Sequence, residues 1–107
     1  MKFEIEKVGG IAEWERLDEG SKKDIIYTVP GGKVFCVVHN DGEGEVKTVE
    51  VRTDGNLAKL LRERYESVME ARYFGRGGVE VVAAGQIPAD EIYDLVRLSY
   101  TITTKKK

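Results

Sequence analysis

Midway along the chain the hydrophobic period changes from two residues to about 3.6, and this change limits the folds available. Residues 46–52 (VKTVEVR) alternate valine with polar residues, the pattern of a strand with one wet face, on which Glu50 would lie. Further on, Leu57, Leu60 and Leu61 recur at steps of three and four residues, which predicts an amphipathic helix. A sheet and a helix that packs against it are therefore both required.

The remaining segments supply more strands and a second long helix. The predicted elements in chain order are a strand at 2–8, a short helix or turn-rich link within 9–23, strands at 24–29, 34–38 and 46–52, a helix at 57–68, a strand at 79–84 and a helix at 89–101. The Pro-Gly-Gly-Lys segment supplies a tight turn between two of these strands. Together they predict an α+β fold in which two main helices pack on one face of a mainly antiparallel sheet. We expect residues 1–107 to form one domain.

Composition excludes several classes of protein. Charged residues make up 34% of the chain and apolar residues 41%, which is ordinary for a globular protein. No apolar run approaches the ~20 residues of a membrane helix, and the first ten residues lack the apolar stretch of a signal peptide. A single cysteine, Cys36, rules out an internal disulfide. We therefore expect a cytoplasmic protein that does not enter a membrane.

Three motifs in the second half resemble a known family. They are LRERYESV, a strand after a short linker, and GQIPADEIYDLVRLSY. In their order and spacing they resemble the closing half of the MmcQ/YjbR family, and YTVPGGKVFCVV resembles that family's strand, Gly-Gly-Lys and strand segment. The resemblance covers roughly residues 24–104. It implies a YjbR-like, secretion-chaperone-like α+β fold of a bacterial type, and it implies DNA binding, the function with which members are commonly labelled.

The chain departs from the family pattern in two places. The family typically opens with a longer helix, whereas residues 2–8 are strand-like and a Gly-interrupted segment follows. The family often has Asn-Lys-x-His-Trp before its penultimate strand, where this chain has Gly-Arg-Gly-Gly and only Arg76 keeps the basic character. An activity that depends on the missing His and Trp is not expected here.

The segment RYFGRGG at residues 72–78 allows two interpretations. Its arginines could contact phosphates while an aromatic ring stacks on a base, which gives the candidate nucleic-acid-binding residues Arg62, Arg72, Tyr73 and Arg76. Alternatively, the segment is a corner between a helix and a strand, with glycines supplying positive φ angles. The net charge of −2 and the pI near 5.5 argue against a protein that tracks phosphates.

No pattern in the sequence indicates catalysis, a metal or a cofactor. Cys36 and His39 lie three residues apart, so in a continuous strand they face opposite ways, and Cys36 is expected to be a buried small hydrophobe. The acidic loop beginning at Asp41 has Val46 and Arg52 where a calcium loop requires Gly and Glu. We expect a protein that is not an enzyme and binds no cofactor or metal.

Two functional hypotheses therefore stay open. One is a DNA-binding domain that uses the basic and aromatic side of residues 59–76. The other is a protein-interaction or chaperone-like module, with a protein partner or a second copy of the chain, that does not bind nucleic acid.

Overall fold

The computed structural model describes residues 2–11, 13–17, 24–43 and 45–105. Its elements are a 3₁₀ turn at Ile5–Lys7, β1 at Glu15–Leu17, β2 at Asp24–Thr28, β3 at Val34–Asn40, β4 at Val46–Arg52, α1 at Gly55–Arg64, β5 at Val68–Ala71, β6 at Gly75–Val82 and α2 at Ala89–Lys105. The strands form one antiparallel sheet in the order β1-β2-β3-β4-β6-β5. Helix α1 packs on β5 and β6, and α2 packs on β3 and β4. The predicted α+β fold, with both helices on one face of the sheet, is confirmed.

The hairpin predicted around the Pro-Gly-Gly-Lys segment is confirmed. Strands β2 and β3 pair antiparallel, and the backbone N–H of Val29 donates to the carbonyl of Lys33 at 2.8 Å across the turn. Gly31 and Gly32 have φ angles of +103° and +97°, which residues with a Cβ atom rarely adopt. The two glycines therefore fix the turn that sets this register.

Helix α1 begins at Gly55, two residues before the predicted start, and ends earlier than predicted. Asp54 caps its first turn by accepting a hydrogen bond from the N–H of Leu57 at 2.8 Å. The helix ends at Arg64, and Val68 already belongs to β5, so the prediction of a helix through residue 68 is wrong. The β5 segment, Val-Met-Glu-Ala, favours a helix by local propensity, but backbone pairing with β6 overrides that preference.

The prediction of which residues form the apolar stripe of α1 is also partly wrong. Leu60 is 62% exposed, whereas the smaller Ala58 is completely buried. Leu61 is half-buried and packs against the core cluster. The short helix is therefore rotated so that its alanine approaches the sheet closely.

The N-terminal segment differs from its predicted strand. Residues 5–7 form a 3₁₀ turn, and Ile5 and Val8 are both buried in the core. Two residues three positions apart share one face of such a turn, whereas they would lie on opposite faces of a strand. For the short helix or turn-rich link predicted within 9–23, the helix is wrong where the segment is described, because residues 15–17 form β1. Residues 12 and 18–23 of that prediction lie outside the described part of the chain.

Helix α2 forms hydrogen bonds to both the N-terminal segment and the sheet. The hydroxyl of Tyr93 accepts from the N–H of Glu4 at 3.1 Å, and that of Tyr100 donates to the carbonyl of Glu13 at 2.9 Å. The completely buried Ser99 accepts from the N–H of Arg52 at 2.8 Å. Neither described helix is long and apolar enough to cross a membrane.

The RYFGRGG segment connects two strands and is not a helix-to-strand corner. Residues 72–74 form the turn between β5 and β6, and the strand β6 begins at Gly75. Of its three glycines, only Gly75 has a positive φ angle, +63°. A Cβ atom on Gly78 would overlap the carbonyl oxygen of Val51 and lie 2.7 Å from Cβ of Phe74. Gly78 is therefore required by close packing between strands and not by a turn dihedral.

We predict that Gly78→Ala lowers the free energy of unfolding by about 1–3 kcal/mol, because the added methyl group has no space. Gly77→Ala is the matched control, since its Cβ would meet only the carbonyl oxygen of Phe74 at 3.7 Å, and it should change stability by less than about 0.5 kcal/mol. Urea denaturation followed by circular dichroism measures both. Equal effects from the two substitutions would contradict the packing assigned to Gly78.

Candidate functional site

The two faces of the sheet bury different kinds of side chain. On the helix side, Val49 pairs with Val81 and Val51 pairs with Val79, and all four valines belong to the hydrophobic core. Side chains alternate between faces along each strand, so the residues between these valines point away from the helices. At the middle of β4 and β6 those residues are two glutamates.

Glu50 and Glu80 lie directly opposite each other on neighbouring strands. They are 0% and 3% exposed, although glutamate is almost never fully buried unless it is paired. Two carboxylates side by side also repel each other. The sequence-based prediction that Glu50 lies on a wet strand face is therefore wrong, and this buried pair needs cationic partners.

His39 is the partner of Glu50. Its Nε2 atom lies 2.5 Å from Oε2 of Glu50, and its Nδ1 atom lies 2.8 Å from Oδ1 of Asp24. An ionised carboxylate can accept a hydrogen bond but cannot donate one. Because both ring nitrogens face carboxylates, the doubly protonated imidazolium satisfies both contacts.

The pKa of His39 is raised by this arrangement. The hydrogen bond to Glu50 is the largest cause, burial of the ring opposes it, and the hydrogen bond to Asp24 adds to it. The protonated ring and the folded arrangement therefore stabilise each other.

Arg72 is the partner of Glu80. Its Nε and Nη2 atoms donate to the two carboxylate oxygens at 2.9 Å and 2.6 Å, and the hydroxyl of Thr48 donates to Oε2 at 2.6 Å. Burial raises the pKa of Glu80, but the hydrogen bonds from Arg72 and Thr48 outweigh burial and hold that pKa below its usual value. The Arg72 side chain is 67% exposed, so it covers the carboxylate from the solvent side.

The turn at residues 72–74 completes the site. The backbone N–H of Tyr73 donates to Oε1 of Glu50 at 2.8 Å, so the same turn serves both glutamates. The ring of Tyr73 is 54% exposed and meets Phe74 edge to face. The guanidinium of Arg52 lies 4.9 Å above the Phe74 ring. We call the group formed by Asp24, His39, Thr48, Glu50, Arg72 and Glu80 the polar cluster.

The structure separates the predicted nucleic-acid-binding residues. Arg72 and Tyr73 lie in the turn beside the polar cluster, and Arg76 is exposed a few residues further along β6. Arg62 lies on α1, in the helical layer on the other face of the sheet. Arg72 is also hydrogen-bonded to Glu80, so only some of the predicted nucleic-acid-binding residues are available to bind phosphates.

Sequence reasoning missed the acidic members of the polar cluster, although one signal was present. The tripeptide Val-Glu-Val occurs at residues 49–51 and again at 79–81. In the sheet the two copies pair antiparallel, so that each glutamate faces the other. The repeat could have indicated the pair, but only if β4 and β6 were known to be neighbours.

The prediction that Cys36 is buried is confirmed, and the loop that begins at Asp41 is stabilised by its own hydrogen bonds. Cys36 is fully buried on the helix side, and burial raises the pKa of its thiol far above the usual value. In the loop, the carboxylate of Asp41 accepts from the N–H groups of Glu43 and Glu45 at 2.7 Å and 3.2 Å. That carboxylate therefore stabilises the turn backbone.

Comparison with known proteins identifies the family. The YjbR family model matches residues 12–102. The chain belongs to the YjbR family. The fold is similar to that in the crystal structure of Deinococcus radiodurans protein DR2400, which has a DUF419 domain. The TM-score is 0.77 and the sequence identity is 16%, and the alignment covers 92% of this chain and 74% of DR2400. No curated protein sequence matches the chain. At this level of identity, the structural likeness between the YjbR-family chain and DR2400 shows the fold alone.

We predict a pH dependence of stability from His39, whose charged neighbours are Asp24 on β2, Glu50 on β4, and Glu80 with Arg72 beside it. Since the folded-state pKa is raised above 6.5, the stabilisation is complete below 6.5 and is lost as pH rises through the folded-state pKa. One proton limits the slope to about 1.4 kcal/mol per pH unit. Urea denaturation between pH 5.5 and about 8, below the range in which the Cys36 thiol of the unfolded chain ionises, should show this fall, as expected for a raised histidine pKa.

The control for this prediction is His39→Gln, which keeps a hydrogen-bonding side chain but cannot become charged. Because His39 is the only histidine in the chain, the variant should lose the fall in stability in that range. A variant with the same pH profile as the parent protein would contradict the assignment.

Proposed function

We propose that this YjbR-family protein is a protein-interaction module that binds a basic, amphipathic segment of a partner protein in the groove between α1 and α2. The observation that carries this proposal is an apolar groove whose charged lining residues are both acidic. The arrangement matches the known mode in which an amphipathic helix lays its apolar face into a groove.

The groove follows from how the helices sit on the sheet. Helix α1 packs on β5 and β6, and α2 packs on β3 and β4, so space remains between them. Its volume is about 250 Å³, with Leu61 and Tyr65 on one wall, Leu95 and Leu98 on the other, and Ile87 between them. Ile87 is buried and the other four are half-buried. A bound apolar side chain would complete their burial.

The charges at the groove select the partner. Glu91 and Asp94 line the groove on α2, and both are exposed. Asp94 is paired with Arg97 at 3.0 Å on the same helix, but an exposed pair of this kind contributes little. The groove therefore favours a segment that carries Lys or Arg next to its apolar side chains, through charge complementarity.

Binding without catalysis fits the chemistry of the reactive groups. The thiol of Cys36 is buried and its pKa is raised, so it is a poor nucleophile. Glu50 and Glu80 are buried and each is hydrogen-bonded inside the protein. We accordingly assign no enzymatic role, and a cytoplasmic location agrees with one buried, unpaired cysteine.

DNA binding is the second candidate, supported by two observations. Arg76 is exposed and forms no ion pair with any residue in the described ranges, and Tyr73 presents an exposed ring nearby. Against it, Arg72 is bound by Glu80, and Arg62 lies in the other layer. Arg76 by itself, beside the acidic residues of the polar cluster, forms a weak phosphate-binding surface.

We predict that the groove binds a labelled amphipathic peptide of leucine and lysine but not its leucine and glutamate counterpart. Titration of ¹⁵N-labelled protein should shift the amide signals of Leu61, Leu95 and Leu98. Leu98→Lys should weaken binding tenfold or more, since about 1.5–3 kcal/mol of apolar burial is lost. Its matched control is Leu60→Lys, on an exposed leucine that does not line the groove, which should bind as the parent does.

The acidic rim has its own matched pair of variants. Glu91→Lys should weaken binding of the lysine peptide roughly fivefold, as expected for about 1 kcal/mol from a charge at the rim. Asp90→Lys makes the same change in the same exposed first turn of α2 but outside the groove, and it should have little effect. Equal losses from both would show attraction by net charge alone and would overturn the groove.

Two further measurements decide between the candidates. Analytical ultracentrifugation shows whether a second copy occupies the groove, because Leu98→Lys would then dissociate a dimer. Fluorescence anisotropy with duplex DNA at several salt concentrations tests the second candidate. If DNA binds and Arg76→Ala lowers the salt slope by roughly 0.9, as expected for the loss of one phosphate contact, while the peptide fails to bind, the protein-interaction proposal is wrong and DNA binding replaces it.

A further inference from the structure

We propose that His39, Glu50 and Glu80 form a binding site for a divalent transition-metal ion, on the sheet face opposite the groove. One ligand atom from each residue, the histidine nitrogen and two carboxylate oxygens, lies within 4.8 Å of the other two. The spacing of these residues along the chain matches no metal motif, so the sequence predicts no metal here. Only the pairing of β3, β4 and β6 brings the three together.

The donor atoms suit ions such as Zn²⁺. One imidazole nitrogen and two carboxylate oxygens can bind zinc at about 2.0–2.2 Å, and three protein ligands leave a position for water. Nε2 of His39 and Oε2 of Glu50 now share a hydrogen bond at 2.5 Å. An ion bound between them would take the place of the shared proton, and small rotations of the two side chains would open the necessary space.

A further geometric observation is the contact on the other side of the ring. Nδ1 of His39 lies 2.8 Å from the carboxylate of Asp24. Metal-binding histidines almost always donate their second ring N–H to a carboxylate, a carbonyl or water, which fixes the ring orientation and directs the other nitrogen at the metal. Asp24 therefore occupies the place of a positioning residue, and it directs Nε2 of His39 toward the two glutamates.

The charges of the cluster also balance around an ion. Glu50 and Glu80 carry two negative charges, which a divalent ion neutralises. On binding, the proton on Nε2 of His39 leaves to solvent, and the guanidinium of Arg72 leaves Glu80. The Arg72 side chain is 67% exposed, so its release into water exposes little new surface, and the bound ion replaces it as the counter-charge of the buried Glu80. Arg72 thus competes with the metal for Glu80.

This competition distinguishes a metal site from a purely structural network. If the cluster only stabilises the fold, Arg72→Gln weakens it and has no effect on metal ions. If the cluster is a metal site, Arg72→Gln frees Glu80 and tightens metal binding, even though it removes a salt bridge. The opposite directions of the two effects make the variant informative.

The experiment is a titration of the chelator-treated full chain with ZnCl₂ by isothermal calorimetry, and with CoCl₂ by visible absorption. We expect one equivalent to bind and Co²⁺ to show the absorption bands of a site of low coordination number. Glu80→Gln and His39→Gln should weaken binding at least tenfold, Asp24→Asn should weaken it about 10–100-fold, and Arg72→Gln should strengthen it severalfold. Circular dichroism confirms that each variant is folded.

The matched control is Glu70→Gln, an exposed glutamate on β5 outside the cluster, which should leave binding unchanged. Absence of saturable binding up to about millimolar Zn²⁺ would overturn the site, as would binding that persists at full strength in His39→Gln. These results are independent of the peptide titration, because the groove and the cluster share no residue.

Discussion

The structure depends on the placement of two glutamates, Glu50 and Glu80, face to face in the middle of one sheet. A buried carboxylate without a partner is among the most costly features a fold can contain. Here each has its own cation, His39 for one and Arg72 for the other, and the turn at 72–74 supplies a backbone N–H to Glu50 as well. The course of β3, β4, β6 and this turn is thereby fixed on the side that neither described helix covers.

The opposite face is stabilised by different forces. There, valines from β3, β4 and β6 pack against α1, α2 and the N-terminal turn. The polar groups in this layer form isolated hydrogen bonds. The hydroxyl of Ser99, for example, donates to the carbonyl of Phe35 and accepts from the N–H of Arg52. One sheet thus has a dry face, which gives the groove, and a polar face, which gives the cluster.

Family membership accounts for the fold that carries the groove and the polar cluster, but it does not explain what either of them does. The YjbR match spans most of the chain, and the fold of DR2400 is the same at an identity too low to carry function. The charge pattern of this chain is therefore a better basis for proposing its function than its likeness to DR2400. Arg72, the arginine of the turn at residues 72–74, is paired with the internal carboxylate of Glu80. The charged residues that line the groove are both acidic.

The sequence by itself determined the parts of the fold that rest on local rules. Hydrophobic period and turn chemistry predicted β2, β3, β4, β6 and α2 and the burial of Cys36, because a period or a tight turn is encoded within a few residues. Only the tertiary structure decided that Val-Met-Glu-Ala becomes a strand, that residues 5–7 form a turn, and that Glu50 is buried. The physical reason is the same in each case: strand pairing and the partners of a buried charge come from residues distant in sequence, and neither period nor composition records which distant residue will be the neighbour.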